Sequence, residues 1–476
     1  MPNDLSQPAS RAEASPELVR GLGPWQATAV VVSTIIGTGV FLVASAMARA
    51  AGSTELVLVT WLIGSVVVLC GTLCLAELGA ALPAAGGQYV YLSRGLGPLW
   101  GYLFGWMNSI LGTPAAMATV AAGFVRFASY LFPQLDSPWL TLHLGPFTFT
   151  VGTAQPLAAL IVLSLTALNY LSVRVGGALQ VILGSLKAAA ILVIILAGAF
   201  WAAPSARMAA PAAMPHALAM GGILTALVPV MWAYNGFQNL NYLGGEVRDP
   251  GKNIPLALLC GILIVAVLYV LVNAAYFHAL PFSQVASSQH VASDVVQSLF
   301  GRSGAAWLTL AMGISALATL HAVIMSESRV TYAMSRAGLF FRFAGRVQPR
   351  YRSPEGALLI LGALSALISL TGTFEQLYSL YIFAIWIFLA LTVVALFRLR
   401  ATEPDLPRAY RVWGYPWTPL LFLIAALALT VHLWMEQPVR SSLGLLVILA
   451  GLPGYYAWAG RSRLAAARGR VAQPYP

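Results

Sequence analysis

A run of about 20 apolar residues can cross a bilayer as a helix, and this chain presents one such run after another. Reading along it gives twelve segments, at 25–48, 56–80, 99–131, 154–172, 177–201, 218–243, 255–279, 304–333, 355–372, 375–397, 417–434 and 441–459. Composition agrees. Of 476 residues, 59% are hydrophobic and 9% charged, where a soluble domain carries about 25% charged residues. A chain this apolar could not cover its own surface, which excludes a soluble enzyme, a disordered protein and a fibrous protein.

The net charge of +11 comes from 26 Lys and Arg against 15 Asp and Glu. With the N-terminus inside, 20 of these cations fall on the cytoplasmic side, 5 fall outside, and Lys187 lies within a span. Basic loops are retained inside and face anionic lipid. The charge therefore indicates membrane lipid as a partner and no nucleic acid. An even span count puts both termini in the cytoplasm of a multi-pass cell-membrane protein. A secretory signal is disfavoured, because Ala27–Val43 is longer than a signal's apolar core of about 7–15 residues. The three cysteines, Cys70, Cys74 and Cys260, lie in apolar runs and are expected to pack as small hydrophobes. Neither a metal nor a cofactor is expected: no histidine or carboxylate completes a ligand set.

Two spans carry features that a structural helix avoids. The first contains Gly37-Thr38-Gly39. Glycine weakens a helix by about 1 kcal/mol relative to alanine, and unpaired backbone at lipid depth persists only where it lines a cavity. Close helix packing through small residues is the competing reading, and Gly97, Gly101 and Gly105 are expected to pack that way. The sixth span runs Trp232-Ala233-Tyr234-Asn235-Gly236-Phe237-Gln238-Asn239-Leu240-Asn241-Tyr242, with three Asn and one Gln at membrane depth. Interrupted spans at matching positions in two halves point to an inverted-repeat transporter with a midplane binding site.

Lys187 lies near the middle of the fifth span. A lysine there costs at least about 2.5 kcal/mol and marks function by default. It is too far from either end to snorkel, so it is expected to donate to carbonyls of the broken first span, with Ser315 or Thr319 as further acceptors. Burial makes reversible proton release a further expectation.

At these residues the sequence resembles the amino acid–polyamine–organocation superfamily, on the side of the L-type amino acid transporters. Four motifs carry the likeness: Ile36-Gly37-Thr38-Gly39-Val40-Phe41; Pro83-Ala84-Ala85-Gly86-Gly87-Gln88-Tyr89; Trp232-Ala233-Tyr234-Asn235-Gly236-Phe237 continuing to Glu246-Val247-Arg248-Asp249-Pro250; and Asp405-Leu406-Pro407-Arg408 with Gly414-Tyr415-Pro416. The resemblance implies an all-α membrane protein of about twelve transmembrane helices. Its fold would be the LeuT-type 5+5 inverted repeat with broken helices one and six, plus two extra helices. The expected divisions are a disordered cytoplasmic tail at 1–24, the first repeat at 25–201 and the second at 218–397. Two additional helices at 398–459 and a basic cytoplasmic tail at 460–476 complete the chain.

The resemblance also implies the site. The substrate carboxylate would meet the amides of Gly37, Thr38 and Gly39, at the positive end of a half-helix. The ammonium would meet carbonyls near Ile35 and, on helix six, near Trp232, Ala233 and Asn235. Trp232 would gate the site. Lys187 would stand where sodium-driven relatives bind sodium, as the coupling group. An amino acid is the expected substrate. Asn235, where carriers of cationic amino acids can have an acid, points to neutral ones. Residues 132–153 contain no cysteine, so no covalently linked accessory subunit is expected.

Other signals are set aside. Gly245 to Lys252 is one residue too long for a phosphate loop. The six histidines lack metal spacing; His321, within a span, is expected to be a hydrogen-bonded core residue. Glu77 and Glu246 are expected to form ion pairs at helix ends. The function expected is sodium-independent secondary transport of neutral L-amino acids by alternating access, as an exchanger or proton symporter. The alternative on the same fold is a carrier of polyamines or other organic cations, disfavoured because spans one and six hold no acid. An enzyme is not expected, for want of a nucleophile and base or a metal cluster at membrane depth.

Overall fold

The structure is a computed structural model that describes residues 20–144, 147–171, 176–201, 216–351 and 353–458. Most of the first expected tail, and all of the last, lie outside the described residues. Among the described residues, nine helices are long and apolar enough to cross a membrane, and three shorter apolar helices bring the spans to twelve.

Span one is Pro24–Ile35 followed, after a break, by Gly39–Leu42 and Ala44–Ala51. Span two is Thr54–Ala81, span three Pro98–Leu131, span four Ala154–Leu171 and span five Gly176–Trp201. Span six is His216–Ala233 and, past its own break, Asn239–Tyr242. Pro250–Ala279 is span seven. The continuous helical stretch Val291–Arg336 changes direction at Gly301, whose φ of 71° lies outside the helical region, and the part beyond it is span eight. Glu355–Ser369, Phe374–Thr402, Trp417–Glu436 and Pro438–Trp458 are spans nine to twelve.

Three features differ from the sequence reading. Between spans three and four the chain forms an antiparallel hairpin, β1 Pro138–Leu144 with β2 Phe147–Gly152. Alternation such as Phe147-Thr148-Phe149-Thr150 is strand-like, but it is too short to compete with the helical signal around it. Second, Gly97 does not pack: its φ of 109° turns the chain into span three, and nothing lies within 4 Å of a Cβ built there. Gly101 and Gly105 do pack, against Ser93 and Met334. Third, span three contains one π-helical turn, Asn108–Gly112, which the sequence does not announce.

The face that holds the start of span one is closed by backbone pairing. Leu22 N–H donates to Glu246 O at 3.0 Å and Arg248 N–H to Leu22 O at 2.9 Å. Gly86 N–H reaches Tyr242 O at 3.2 Å. Glu77, 1% exposed at its side chain, is clasped by Arg400, by Arg408 at 3.4 Å and by Val412 N–H at 2.7 Å. A buried carboxylate needs such partners. Glu246 pairs with Arg329 at 3.7 Å. On the opposite face Arg126 pairs with Glu375. Cys70 and Cys74 are buried and free.

Candidate functional site

The two breaks meet in the middle of the bundle. Span one loses helical form over residues 36–38, and span six over 234–238. Gly236 adopts φ 108°, open to glycine without strain, and a Cβ there would fall 2.6 Å from Thr34 O. At Gly39 a Cβ would fall 2.5 Å from Ala233 Cα. Glycine at both places lets the two backbones touch. Thr34 Oγ1 donates to Gly236 O at 3.3 Å.

Tyr269 of span seven ties the breaks together. Its hydroxyl lies 3.0 Å from Ile35 O and 3.1 Å from Ala233 O, so the last carbonyl of each leading half-helix shares one donor. The sequence reading missed Tyr269, because a tyrosine in an apolar run reads as ordinary core.

Lys187 supplies the next link. Its ammonium donates to Ser33 O at 2.9 Å and to Thr319 Oγ1 at 2.5 Å. Thr319 in turn lies 3.3 Å from Ile36 O, and its methyl lies 3.2 Å from where a Gly37 Cβ would stand. Ser33, Ile36, Lys187 and Thr319 therefore form one chain of contacts through spans one, five and eight. Ser315, the other acceptor expected for Lys187, keeps its hydroxyl buried without a partner.

Beyond the break, the helix restarting at Gly39 has no side-chain cap. The amides of a first helical turn have no acceptor within their own helix, and they carry positive partial charge. Thr38 Oγ1, beside them, is buried without a hydrogen-bond partner.

The expected site residues of span six divide between two neighbours. Ala233 faces span one. Trp232 and Asn235 face span ten. The Trp232 ring stacks on Tyr378 at 6.1 Å and meets Phe374 and Tyr381 edge-on at 6.2 and 5.8 Å, while its Nε1 has no partner. Asn235 Oδ1 accepts from Tyr381 O–H at 2.8 Å and Gln238 Nε2 at 3.1 Å. Thr38, Trp232, Ala233 and Lys187 are at most 4% exposed, while Asn235 is half-buried. His321 shares a 2.8 Å hydrogen bond with Asn169, in keeping with a core histidine. The span-ten aromatics were not singled out from sequence.

Comparison with known proteins shows the family. The family described as amino acid permease matches residues 22–454. The serine/threonine exchanger SteT of Bacillus subtilis (strain 168) is 29% identical over 442 residues, covering 92% of this chain and 97% of that protein. The b(0,+)-type amino acid transporter 1 of Mus musculus is 27% identical over 92% of this chain and 88% of its own length. The cystine/glutamate transporter of Homo sapiens is 28% identical, with 92% and 85% covered. A family match over nearly the whole chain, together with its membrane-length apolar helices, identifies this protein as a multi-pass membrane transporter, not an enzyme, belonging to the amino acid permease family.

Proposed function

We propose that the protein is a sodium-independent secondary transporter of neutral L-amino acids, working by alternating access. Amino acid transport itself follows from the family and from relatives that are amino acid transporters and exchangers. The finer reading rests above all on Lys187, whose ammonium takes Ser33 O and Thr319 Oγ1 beside the first break. A fixed cation there repels a second one and occupies carbonyl and hydroxyl oxygens of the kind a sodium ion needs.

In this reading the substrate carboxylate is held by the amides at Gly37, Thr38 and Gly39, with the Thr38 hydroxyl as a further donor. The ammonium is received by the carbonyls of Ile35 and Ala233, once Tyr269 shares them, together with those of Trp232 and Asn235. Trp232 and its span-ten aromatics close over the substrate. Asn235 offers no charge to neutralise a cationic side chain, which favours neutral substrates and weakens the polyamine alternative.

Residues 25–201 and 218–397 act as the two inverted halves. The termini are cytoplasmic, in the cell membrane, and no covalent accessory subunit is required. Exchange and proton symport both fit the site. Purified protein in liposomes tests the reading: labelled neutral amino acids should enter without sodium, and entry only into preloaded vesicles identifies exchange. A strict sodium requirement overturns the role of Lys187.

A further inference from the structure

Span eight carries a second buried ionisable group that the site above does not use. Glu327 is 2% exposed, within a membrane span. Its Oε2 receives two neutral donors from span three, Asn108 Nδ2 at 3.0 Å and Thr113 Oγ1 at 3.1 Å. No cation among the described residues pairs with it, and no cluster of metal-binding side chains includes it. A bare carboxylate at this depth is expensive and marks an ion or proton path by default.

Its surroundings are built around it. Asn108 and Thr113 begin and follow the π-helical turn Asn108–Gly112; such turns are inserted into α-helices mostly at functional sites. The turn is anchored to span eight a second time by Ser109 and Thr331, 2.8 Å apart. Asn108 Oδ1 is buried without a partner.

That orphan acceptor gives the amide a second use. In the structure its NH2 donates to Glu327 Oε2. A half-turn of the amide exchanges donor and acceptor, and Oδ1 would then accept the O–H of a protonated Glu327. The amide can thus hydrogen-bond either protonation state of the carboxyl, with its own opposite end left unpaired in the arrangement seen.

Glu327 also shares its helix with Thr319, beside the first break. It lies eight residues beyond Thr319 on the same helix, about 12 Å further along, toward the face closed by Glu246 and Arg329. Tyr242 of span six and Tyr381 of span ten are within its electrostatic reach. Tyr102 O–H on span three and His321 Nε2 on span eight are buried without a partner, while several other charged or titratable groups on neighbouring elements are engaged elsewhere. Lys187 is held by Ser33 and Thr319, Arg329 by Glu246, and His321 by Asn169. On spans four and nine Tyr170 pairs with Glu355, and on spans three and ten Arg126 pairs with Glu375.

We propose that Glu327 is the proton-carrying site of this transporter, with the Asn108 amide as the group that reads its protonation state. The proposal rests on the reading of the chain as an amino acid carrier and decides within it for proton symport. A proton from water on one face bonds to a Glu327 carboxylate oxygen. That O–H bond breaks toward water on the other face after the carrier has turned over, and no other bond changes.

The test uses purified full-length protein in liposomes with an interior pH dye and the membrane potential clamped. Addition of a transported amino acid should acidify vesicles bearing the natural chain, and Glu327→Gln should lose that acidification. Undiminished acidification with Glu327→Gln overturns the proposal. Infrared difference spectra read the carboxyl itself. A protonated-carboxyl band should titrate with pH, vanish in Glu327→Gln and persist, shifted, in Glu327→Asp. No such band at any pH, or one that responds to sodium and not to pH, overturns the proposal even if transport is proton-driven. If the protein moves no amino acid at all, the functional reading fails by itself and the infrared arm still decides the fate of Glu327.

Discussion

Lys187 and Thr319 stand 2.5 Å apart, ammonium to hydroxyl, and through this pair span five reaches across to span eight beside the first break. The lysine is 1% exposed and spends its other bond on Ser33 O. Replacing it with alanine leaves the Ser33 carbonyl without this donor in a place water does not reach. A hydrogen bond to a charged group is worth about 1.5–3 kcal/mol, and about 1.4 kcal/mol is tenfold. Lys187→Ala is therefore expected to lower neutral amino acid uptake by about 10–100-fold, read as initial rates in liposomes. Lys187→Arg, longer and forked, should not restore it.

Tyr269→Phe removes one hydroxyl that serves two carbonyls, Ile35 and Ala233. Buried acceptors left unpaired cost about 1–3 kcal/mol. The variant should melt several degrees below the natural chain in detergent. If a substrate ammonium uses the same carbonyls, added substrate should recover much of that loss.

Gly39→Ala should abolish transport. The new methyl would meet Ala233 Cα at 2.5 Å, and main chain cannot swing aside as a side-chain tip does. Gly221→Ala is the control. Nothing lies within 4 Å of a Cβ there, and alanine improves helix propensity by about 1 kcal/mol, so uptake should match the natural chain.

Glu77→Gln should weaken the face that holds the start of span one. The carboxylate is shared by Arg400, Arg408 and the Val412 amide. Removing one partner of a buried pair costs about 3–5 kcal/mol, reduced here because Arg400 is partly exposed. A lower melting temperature with faster cysteine labelling at Cys74, now buried, would show that this face has loosened.

His290, in the loop before Val291, sets a pH limit. Burial, with Arg126 nearby, holds its imidazole below the usual value, which is about 6.5. The folded protein refuses a proton that the unfolded chain accepts, so stability is lost as pH falls through and below about 6.5. Melting temperature measured against pH should drop on the acid side, and His290→Gln should flatten that slope.

The twelve spans were legible because lipid demands long apolar runs with internally paired backbone. The breaks were legible for the same reason seen in reverse. Gly37 and Gly39, or three Asn and a Gln in a row of apolar residues, make no sense in a plain spanning helix. The donors that organise the breaks were harder to see. Thr319 and Lys187 announce themselves by polarity, but Tyr269 looks like any core aromatic until its hydroxyl is found on two carbonyls. Glu327 escaped notice inside Ser326-Glu327-Ser328-Arg329, which reads as the polar end of a span. The hairpin at Pro138–Gly152 shows only a short alternation, outweighed by the helical signal around it, and the π-turn at Asn108 leaves no periodic trace.

The short pairing of Leu22 with Glu246 and Arg248 stitches the chain's leading segment to the far end of span six. Parting those two spans at this face must first unpick that seam. The residues just ahead of span one are thus fastened to span six as well, so any opening of this face must carry or break that fastening.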